Sequence, residues 1–224
     1  MPSKVFSAAI VGLDARLVEV EVDVSHGLRS FSIVGLADRA VEESKERIES
    51  AIKSSKLLSP HNRTFRILVN LAPADLKKEG SLYDLPIALA FLIASKQTNF
   101  NPQNKMFLGE LALDGKLRQV KGVLACALLA KKLGVKEIIL PKANAREAAL
   151  VNNIKTTEHL YETDVANPLT KTDVRDSTMA GSNLGDLKII GVESLTDALS
   201  YLENRKQIEP FLIKDNFVQN QESP

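Results

Sequence analysis

The sequence predicts a mixed α/β (α+β) fold, with a mixed sheet that contains a meander and a hairpin, and with helices packed on it. β-rich runs separated by Gly-containing turns come first, and apolar runs of helical length then alternate with short strands. Between two such runs, Asp114-Gly115 is the strongest short-range signal for a β-hairpin. The 224 residues, of which 44% are hydrophobic, are enough to bury a full core.

The N-terminal part is predicted to form a meander followed by a helix. Its three strands are separated only by short turns, so we expect them to pair antiparallel in sequence order. After them, Asp38 precedes apolar residues at helical spacing, which predicts a capped helix that ends near residue 55. The i,i+4 spacing also predicts two ion pairs, Glu43/Arg47 and Glu49/Lys53. The three predicted strands are 5–11, 17–24 and 30–34.

The rest of the core is predicted from alternating strand and helix patterns. Asp84 opens a continuous apolar run typical of a buried helix, and we expect its carboxylate to cap that helix. The predicted elements are a strand at 63–71, a helix at 84–95, a hairpin at 106–120, a helix at 120–133, a strand at 136–140, a helix at 142–151, a strand at 187–192 and a helix at 194–202.

Two segments are predicted to lie outside the core of a domain that covers residues 1–205. Residues 162–185 are rich in Thr, Asp and Asn and have almost no apolar side chains, so we expect a long mobile insertion in a loop. Residues 206–224 are expected to be a linker whose partner domain lies outside the chain.

Charge and cysteine content exclude several classes of protein. The formal net charge is only +1, so a strong field for nucleic acid or membranes is not indicated. The single cysteine, Cys126, lies in an apolar helical run and is interpreted as a small buried hydrophobe.

The N-terminal residues do not resemble a signal peptide, and no apolar run reaches the roughly 18 residues of a membrane helix, so we expect a cytoplasmic, reduced setting. The spacing of His26, His61 and His159 does not imply a zinc site.

The stretch from Val69 to Leu89 is the most informative part of the chain. It contains an apolar run, then a turn with Pro and Gly, and then an Asp that opens a helix. This order is typical of a loop that lies over a helix N-terminus. An active site could lie there, with Asp75 and Asp84 as a possible acid and base, although helix capping explains Asp84 more simply.

Four motifs in the same order resemble the YifB/ComM family of magnesium-chelatase-like AAA+ ATPases, in their N-terminal domain. The resemblance covers about residues 4–205, and departs from the family's usual prolines at Arg29 and Ala37. The motifs are 31–47, 69–89, 109–115 and 141–150.

The resemblance implies a Lon-protease-like fold, related to a domain of a small-subunit ribosomal protein. Lon-type proteases use a Ser nucleophile and a Lys base. The resemblance places Leu82 at the serine position and Leu124 at the lysine position, so the dyad is degenerate. Ser81 and Lys121 lie nearby but are displaced from these positions, and we interpret them as a turn or N-cap hydroxyl and a solvated charge.

For the whole protein, the resemblance implies ATP-driven DNA processing, such as branch migration during natural transformation, by a hexameric ring. ATP and Mg are expected on an AAA+ module of the same polypeptide outside this chain. Gly109 to Leu117 does not match a phosphate loop, so no cofactor is expected here. The expected role of this chain is assembly, with possible guidance of DNA. An active Ser-Lys peptidase and a stand-alone nucleic-acid-binding domain are the alternatives.

If the Lon-like arrangement holds, basic residues of two loops share one edge of the domain. This edge would contact DNA phosphates weakly and without sequence preference. The residues are Lys77, Lys78, Lys116, Arg118 and Lys121.

Overall fold

A computed structural model describes residues 2–60, 64–154 and 186–213. The larger of its sheets has four strands in the order β1, β2, β4, β3. In β2 and β4, alternate residues are apolar and face the core, as expected for strands with one covered face. In β1, consecutive residues 5–9 are buried. The strands are β1 (Ser3–Val11), β2 (Asp14–His26), β3 (Ser30–Val34) and β4 (Phe65–Ala72).

The prediction of a three-stranded antiparallel meander is wrong for β3. β1 and β2 pair antiparallel as expected, but β2 then pairs with β4, and β3 pairs with the other side of β4 in parallel. The helical crossover between β3 and β4 permits this parallel pairing, which a tight turn could not. β3 therefore lies at the edge of the sheet.

Helices from the middle of the chain cover the inner face of this sheet. The predicted helix after Asp38 is present in two parts, α1 (Arg39–Glu42) and α2 (Ser44–Ser54). The Asp38 side chain accepts a hydrogen bond from Val41 N, which confirms the predicted N-cap. Helix α3 (Asp84–Ala94), which is apolar at every position after Asp84, is buried along nearly its whole length, between α2 and the strands β1 and β2.

A second, parallel sheet follows in the order β5, β8, β9, with β5 lying beside β1. The predicted hairpin at Asp114-Gly115 is confirmed as the pair β6 and β7. The remaining elements are β5 (Lys105–Phe107), β6 (Glu110–Leu111), β7 (Leu117–Arg118), α4 (Val123–Lys132), β8 (Glu137–Pro141), the 3-10 helix Lys142–Asn144, α5 (Ala145–Asn153), β9 (Lys188–Val192) and α6 (Leu195–Leu202). The α+β fold class is confirmed.

The chain after α6 returns to the domain. Phe211 N donates to Ile189 O at 2.8 Å, and Ile208 and Ile213 are partly buried against the core. The first part of the predicted linker is therefore packed beside β9. The predicted insertion at 162–185 lies outside the described residues. Among the residues that the structure describes, no helix has the length and apolar character needed to cross a bilayer.

Candidate functional site

The N-terminus of α3 and the start of the β6–β7 hairpin are joined by backbone hydrogen bonds. Gly109 N donates to Leu82 O at 2.9 Å, and Leu85 N donates to Gly109 O at 3.0 Å. Gly109 has φ +156°, and a Cβ there would lie 2.6 Å from Leu117 Cδ2. Only glycine fits this close approach without movement of Leu117. Two of the four family motifs, 69–89 and 109–115, therefore meet here.

A buried ion pair lies at the centre of this junction. Arg47 from α2 donates to both oxygens of Asp84, from Nε at 2.7 Å and from Nη2 at 2.9 Å. Leu111 N of the hairpin donates to Asp84 Oδ2 at 3.0 Å. Burial raises the pKa of the Asp84 carboxyl to about 6, against the lowering effect of Arg47 and of the Leu111 amide. One carboxylate thus holds α2, α3 and the hairpin together.

The structure corrects two predictions about these residues. Asp84 is not the cap of α3: Tyr83 occupies the N-cap position without a side-chain cap bond, and the Asp84 carboxylate is used by Arg47 and Leu111. The predicted pair Glu43/Arg47 is also wrong, because Glu43 accepts from Arg39 at 2.9 Å. The signal that sequence reasoning missed is an Asp at the start of an otherwise apolar helix, where a buried carboxylate requires a cationic or hydrogen-bonding partner.

Ser81 lies beside this pair and is bound to an acid. Its Oγ donates to Glu110 Oε2, and Arg118 Nη1 lies 3.3 Å from Glu110 Oε1. The Ser81 hydroxyl is therefore not an N-cap, although its carbonyl accepts from Asp84 N in a turn. A serine nucleophile needs a base that takes its proton, and Lon-type enzymes use a lysine for this step. The partner of the Ser81 hydroxyl is instead the Glu110 carboxylate, which also pairs with Arg118.

The two degenerate dyad positions differ in burial. Leu82 is 7% exposed and belongs to the core. Leu124 on α4 is half-buried, and its backbone N donates to Glu147 Oε1 at 3.2 Å. Cys126 is buried as predicted, and burial raises the pKa of its thiol to about 12. A thiol of such high pKa is poorly nucleophilic.

Several backbone amides of the hairpin donate within the fold. Ala112 N donates to Lys116 O, Gly115 N to Ala112 O, and Lys116 N to Asp114 Oδ1. A phosphate loop needs several backbone N–H groups directed at the ligand. This arrangement gives no support to a nucleotide site at the hairpin.

One of the predicted DNA contacts is wrong. Lys78 is fully buried, and its ammonium donates to Pro73 O. Its backbone is also fixed, because Lys78 N donates to Leu36 O and Asp38 N donates to Lys78 O, each at 3.0 Å. Burial lowers the pKa of the Lys78 ammonium. Lys78 therefore ties the loop after β4 to the loop after β3 and cannot reach a phosphate.

The other four predicted DNA contacts are at the surface. Lys77 lies 2.6 Å from Glu79, Lys116 lies 3.0 Å from Asp114, and Arg118 pairs with Glu110. Lys121 is exposed and forms no ion pair within the part of the chain that the structure describes. Three of the four charges are thus balanced locally, and DNA contact at this edge stays a prediction.

No group of three or more His, Cys, Asp or Glu side chains among residues 2–60, 64–154 and 186–213 could hold a metal ion. Of the three histidines, only His26 falls within these ranges, where its ring packs against Phe65.

Comparison with known proteins identifies similar sequences. The model of the family described as subunit ChlI of Mg-chelatase matches residues 20–144. The competence protein ComM of Haemophilus influenzae is 39% identical over 208 residues, which are 88% of this chain and 40% of that protein. The uncharacterized YifB of Escherichia coli is 44% identical over 151 residues, covering 67% of this chain and 29% of its own length. YifB of Salmonella typhimurium is 38% identical over 191 residues, 77% of this chain and 37% of that protein.

Proposed function

Because the chain belongs to the ChlI-like Mg-chelatase family that includes the ComM and YifB proteins, we propose that it is a non-catalytic module of such a protein and acts in DNA processing. The chain spans about two fifths of the length of ComM. We place ATP and Mg on an AAA+ module in the rest of the parent polypeptide. Within this parent, the chain serves assembly into a ring.

The observation that carries this proposal is the way in which the junction of α3 and the hairpin is filled. Where a Lon-type enzyme would place a serine and a lysine, this chain has the buried Leu82 and the half-buried Leu124. The Ser81 hydroxyl in the adjoining turn donates to Glu110. The charged groups at the centre are hydrogen-bonded within the fold: Arg47 donates to Asp84 and to Ala40 O, and Asp84 also accepts from the hairpin backbone. This arrangement supports a structural rather than a nucleophilic role for these residues.

A peptidase assay tests the proposal against the Ser-Lys alternative. The chain is incubated with fluorescein-labelled casein, and no hydrolysis above buffer is expected. As a matched control, Ser32→Ala removes an exposed hydroxyl from β3, far along the chain from the site. Hydrolysis by the unmodified chain that disappears in Ser81→Ala but persists in Ser32→Ala would refute the proposal.

DNA contact by the chain itself is the weaker part of the proposal. The name of ComM connects that relative with competence. Lys121 is an exposed lysine of the predicted edge, and it has no acidic partner within the part of the chain that the structure describes. We therefore assign the main role to assembly, and treat DNA contact as a minor contribution that a salt titration can measure.

A further inference from the structure

The turn between β1 and β2 carries an exposed group of apolar side chains. Leu13 in the turn is 97% exposed, and Ile10 and Val11 just before it are 37% and 41% exposed. We call residues 10–13 the β1–β2 tip. Turns are usually built from polar residues and glycine, so three exposed apolar side chains within four consecutive residues indicate an interaction site.

The backbone holds this tip in a fixed shape. The strands remain paired up to Val11 and Asp14, which leaves a turn of only two residues. Gly12, the first of them, has φ +63°, at the position that a type II′ hairpin turn gives to glycine. Ala9 is still buried, at 1% exposed, so the ribbon projects from the core only beyond this residue. A rigid projection loses little conformational freedom when it binds.

One face of the tip rests on the start of α4. A Cβ at Gly122 would lie 2.7 Å from Ile10 Cδ1, so the backbone before α4 touches the side chain of Ile10 directly. Lys121, which immediately precedes this glycine, is exposed. A cation therefore lies beside the face of the tip that carries Ile10.

A second cation lies on the opposite face. Arg16 on β2 is in register with Ala9 on β1, and paired residues direct their side chains to the same side of a sheet. Because successive residues alternate between faces, Arg16 shares the face of Val11 and lies opposite that of Ile10.

These two cations are available for binding. Arg16 and Lys121 are exposed and form no ion pair among residues 2–60, 64–154 and 186–213. The acid of the turn, Asp14, shares the face of Arg16 and offsets part of the charge there. On the other side, the Glu147 carboxylate accepts from Leu124 N at 3.2 Å and is thus used within the fold. The tip consequently has an apolar end with a cation on each side.

A nucleic acid offers both kinds of partner that this surface needs. Base faces accept apolar side chains, as in proteins that insert Leu, Ile or Phe between base steps, and phosphates attract cations. Stacking covers the base faces of a continuous duplex. At a branch, however, the last base pair is uncovered, and the two strands turn away on opposite sides of it. A narrow ribbon with an apolar end and a cation on each side matches this arrangement.

We propose that the β1–β2 tip contacts branched DNA where its two strands separate. Leu13 lies against the uncovered base pair, and Arg16 and Lys121 each contact the phosphates of one strand. The inference rests on the proposed role in DNA processing and names a contact surface for it. The apolar contact depends on DNA structure, whereas the two phosphate contacts do not, so separate variants test each part.

Fluorescence anisotropy with two DNAs of the same sequence tests the apolar contact. At low salt, we expect the unmodified chain to bind a forked duplex about fivefold more tightly than a fully paired one. Leu13→Ser should remove this preference. The matched control is Leu28→Ser, because Leu28 is 93% exposed in the turn before β3 and should not affect binding. Urea denaturation should show both variants to be as stable as the unmodified chain, since neither side chain is buried.

A salt series tests the phosphate contacts. Arg16→Gln should flatten the plot of log affinity against log salt by about one unit on the forked duplex. The matched control is Arg29→Gln, because Arg29 is also exposed and makes no ion pair within the described residues. An equal slope for the two variants would contradict the contact of Arg16.

Three results would overturn the proposal. Equal affinity of the unmodified chain for both DNAs, or an unchanged preference in Leu13→Ser, would exclude the tip as a branch contact and leave the proposed DNA-processing role standing. Absence of binding to either DNA at low salt would contradict both. Unchanged fork binding by Leu13→Ser, together with lost co-sedimentation on phosphatidylglycerol vesicles, would instead identify the tip as a lipid contact. None of these readouts depends on hydrolysis, so the peptidase assay is decided separately.

Discussion

The junction of α3 with the hairpin and the loop edge around Lys116 both contain ion pairs at similar distances, but in different surroundings. Asp84 is fully buried and receives Arg47 at 2.7 Å. Lys116 and Asp114 lie 3.0 Å apart with side chains 75% and 55% exposed. Water screens the exposed pair, so it contributes little to stability, whereas loss of one partner of a buried pair leaves an uncompensated charge. Distance alone therefore does not show which pairs maintain the fold.

The largest expected effect is that of Arg47→Met. The substitution keeps an unbranched, flexible side chain and removes the charge that Asp84 needs in the core. We expect the free energy of unfolding to fall by about 3–5 kcal/mol in urea denaturation. The matched control is Arg118→Met, which removes the exposed partner of Glu110 and should cost about 0–1 kcal/mol. Equal losses in the two variants would show that burial does not distinguish these pairs.

The second comparison is between the two degenerate dyad positions. Leu82→Lys puts an ammonium at a site that is 7% exposed, and should lower the unfolding free energy by roughly 3 kcal/mol. Leu124 is half-buried, so a lysine there can extend its ammonium to water, and Leu124→Lys should cost about 1 kcal/mol. Thermal or urea denaturation of both variants measures the difference. If Leu124→Lys is the more damaging, Leu124 faces a more enclosed space than its exposure indicates.

The fold class and most elements could be predicted because the periodicity of apolar residues and the residue types of turns are local features of the sequence. Asp114-Gly115 predicted the hairpin, and Asp38 predicted a helix start, since a turn or a cap depends on residues close in sequence. The position of β3 could not be obtained in this way. Short turns before β3 favour antiparallel pairing with β2, but its actual partner, β4, comes after two helices, and nothing local to residues 30–34 identifies it.

The contents of the site were less predictable, because its partners are distant in the chain. Arg47 has Glu43 at helical spacing and yet binds Asp84, which is 37 positions away. Lys77 and Lys78 look alike in sequence, as adjacent lysines in a polar turn. Only the closure of the loops after β3 and β4 on each other buries one and leaves the other in water. Tertiary packing decides such cases, and local patterns carry no signal of it.

The third prediction uses pH to separate the buried from the exposed acid. Burial raises the pKa of Asp84 from 3.8 in the unfolded chain to about 6, so the folded state binds the proton more tightly. The resulting contribution to stability is complete below pH 4 and is lost as the pH rises through 6. The unfolding free energy of the unmodified chain minus that of Asp84→Asn should therefore increase by about 2–3 kcal/mol when the pH is lowered from 7 to 4.

Asp114 provides the control for this experiment, because its shift has the opposite sign. Hydrogen bonds from Lys116 lower the pKa of the exposed Asp114 carboxyl. Its contribution is present above the usual pKa near 4 and is lost as the pH falls below it. The difference between the parent and Asp114→Asn should thus shrink on acidification, while the difference for Asp84→Asn changes in the other direction. Parallel curves for the two variants would contradict the burial of Asp84 as the cause.

The smallest expected effect concerns DNA at the exposed edge. Three of its four surface charges are already paired with acids, so their binding to a DNA phosphate backbone would release few counterions. Replacing Lys77, Lys116, Arg118 and Lys121 by Gln should weaken single-strand or branched DNA binding only a few-fold at low salt, equally across sequences. Fluorescence anisotropy over a salt series measures this, and the plot of log affinity against log salt should flatten by about one unit, the contribution expected of Lys121 alone. A slope reduced by three or four units would mean that DNA displaces the acids from their partners, and that this edge is a DNA surface. An unchanged slope would leave the edge without a role in DNA binding.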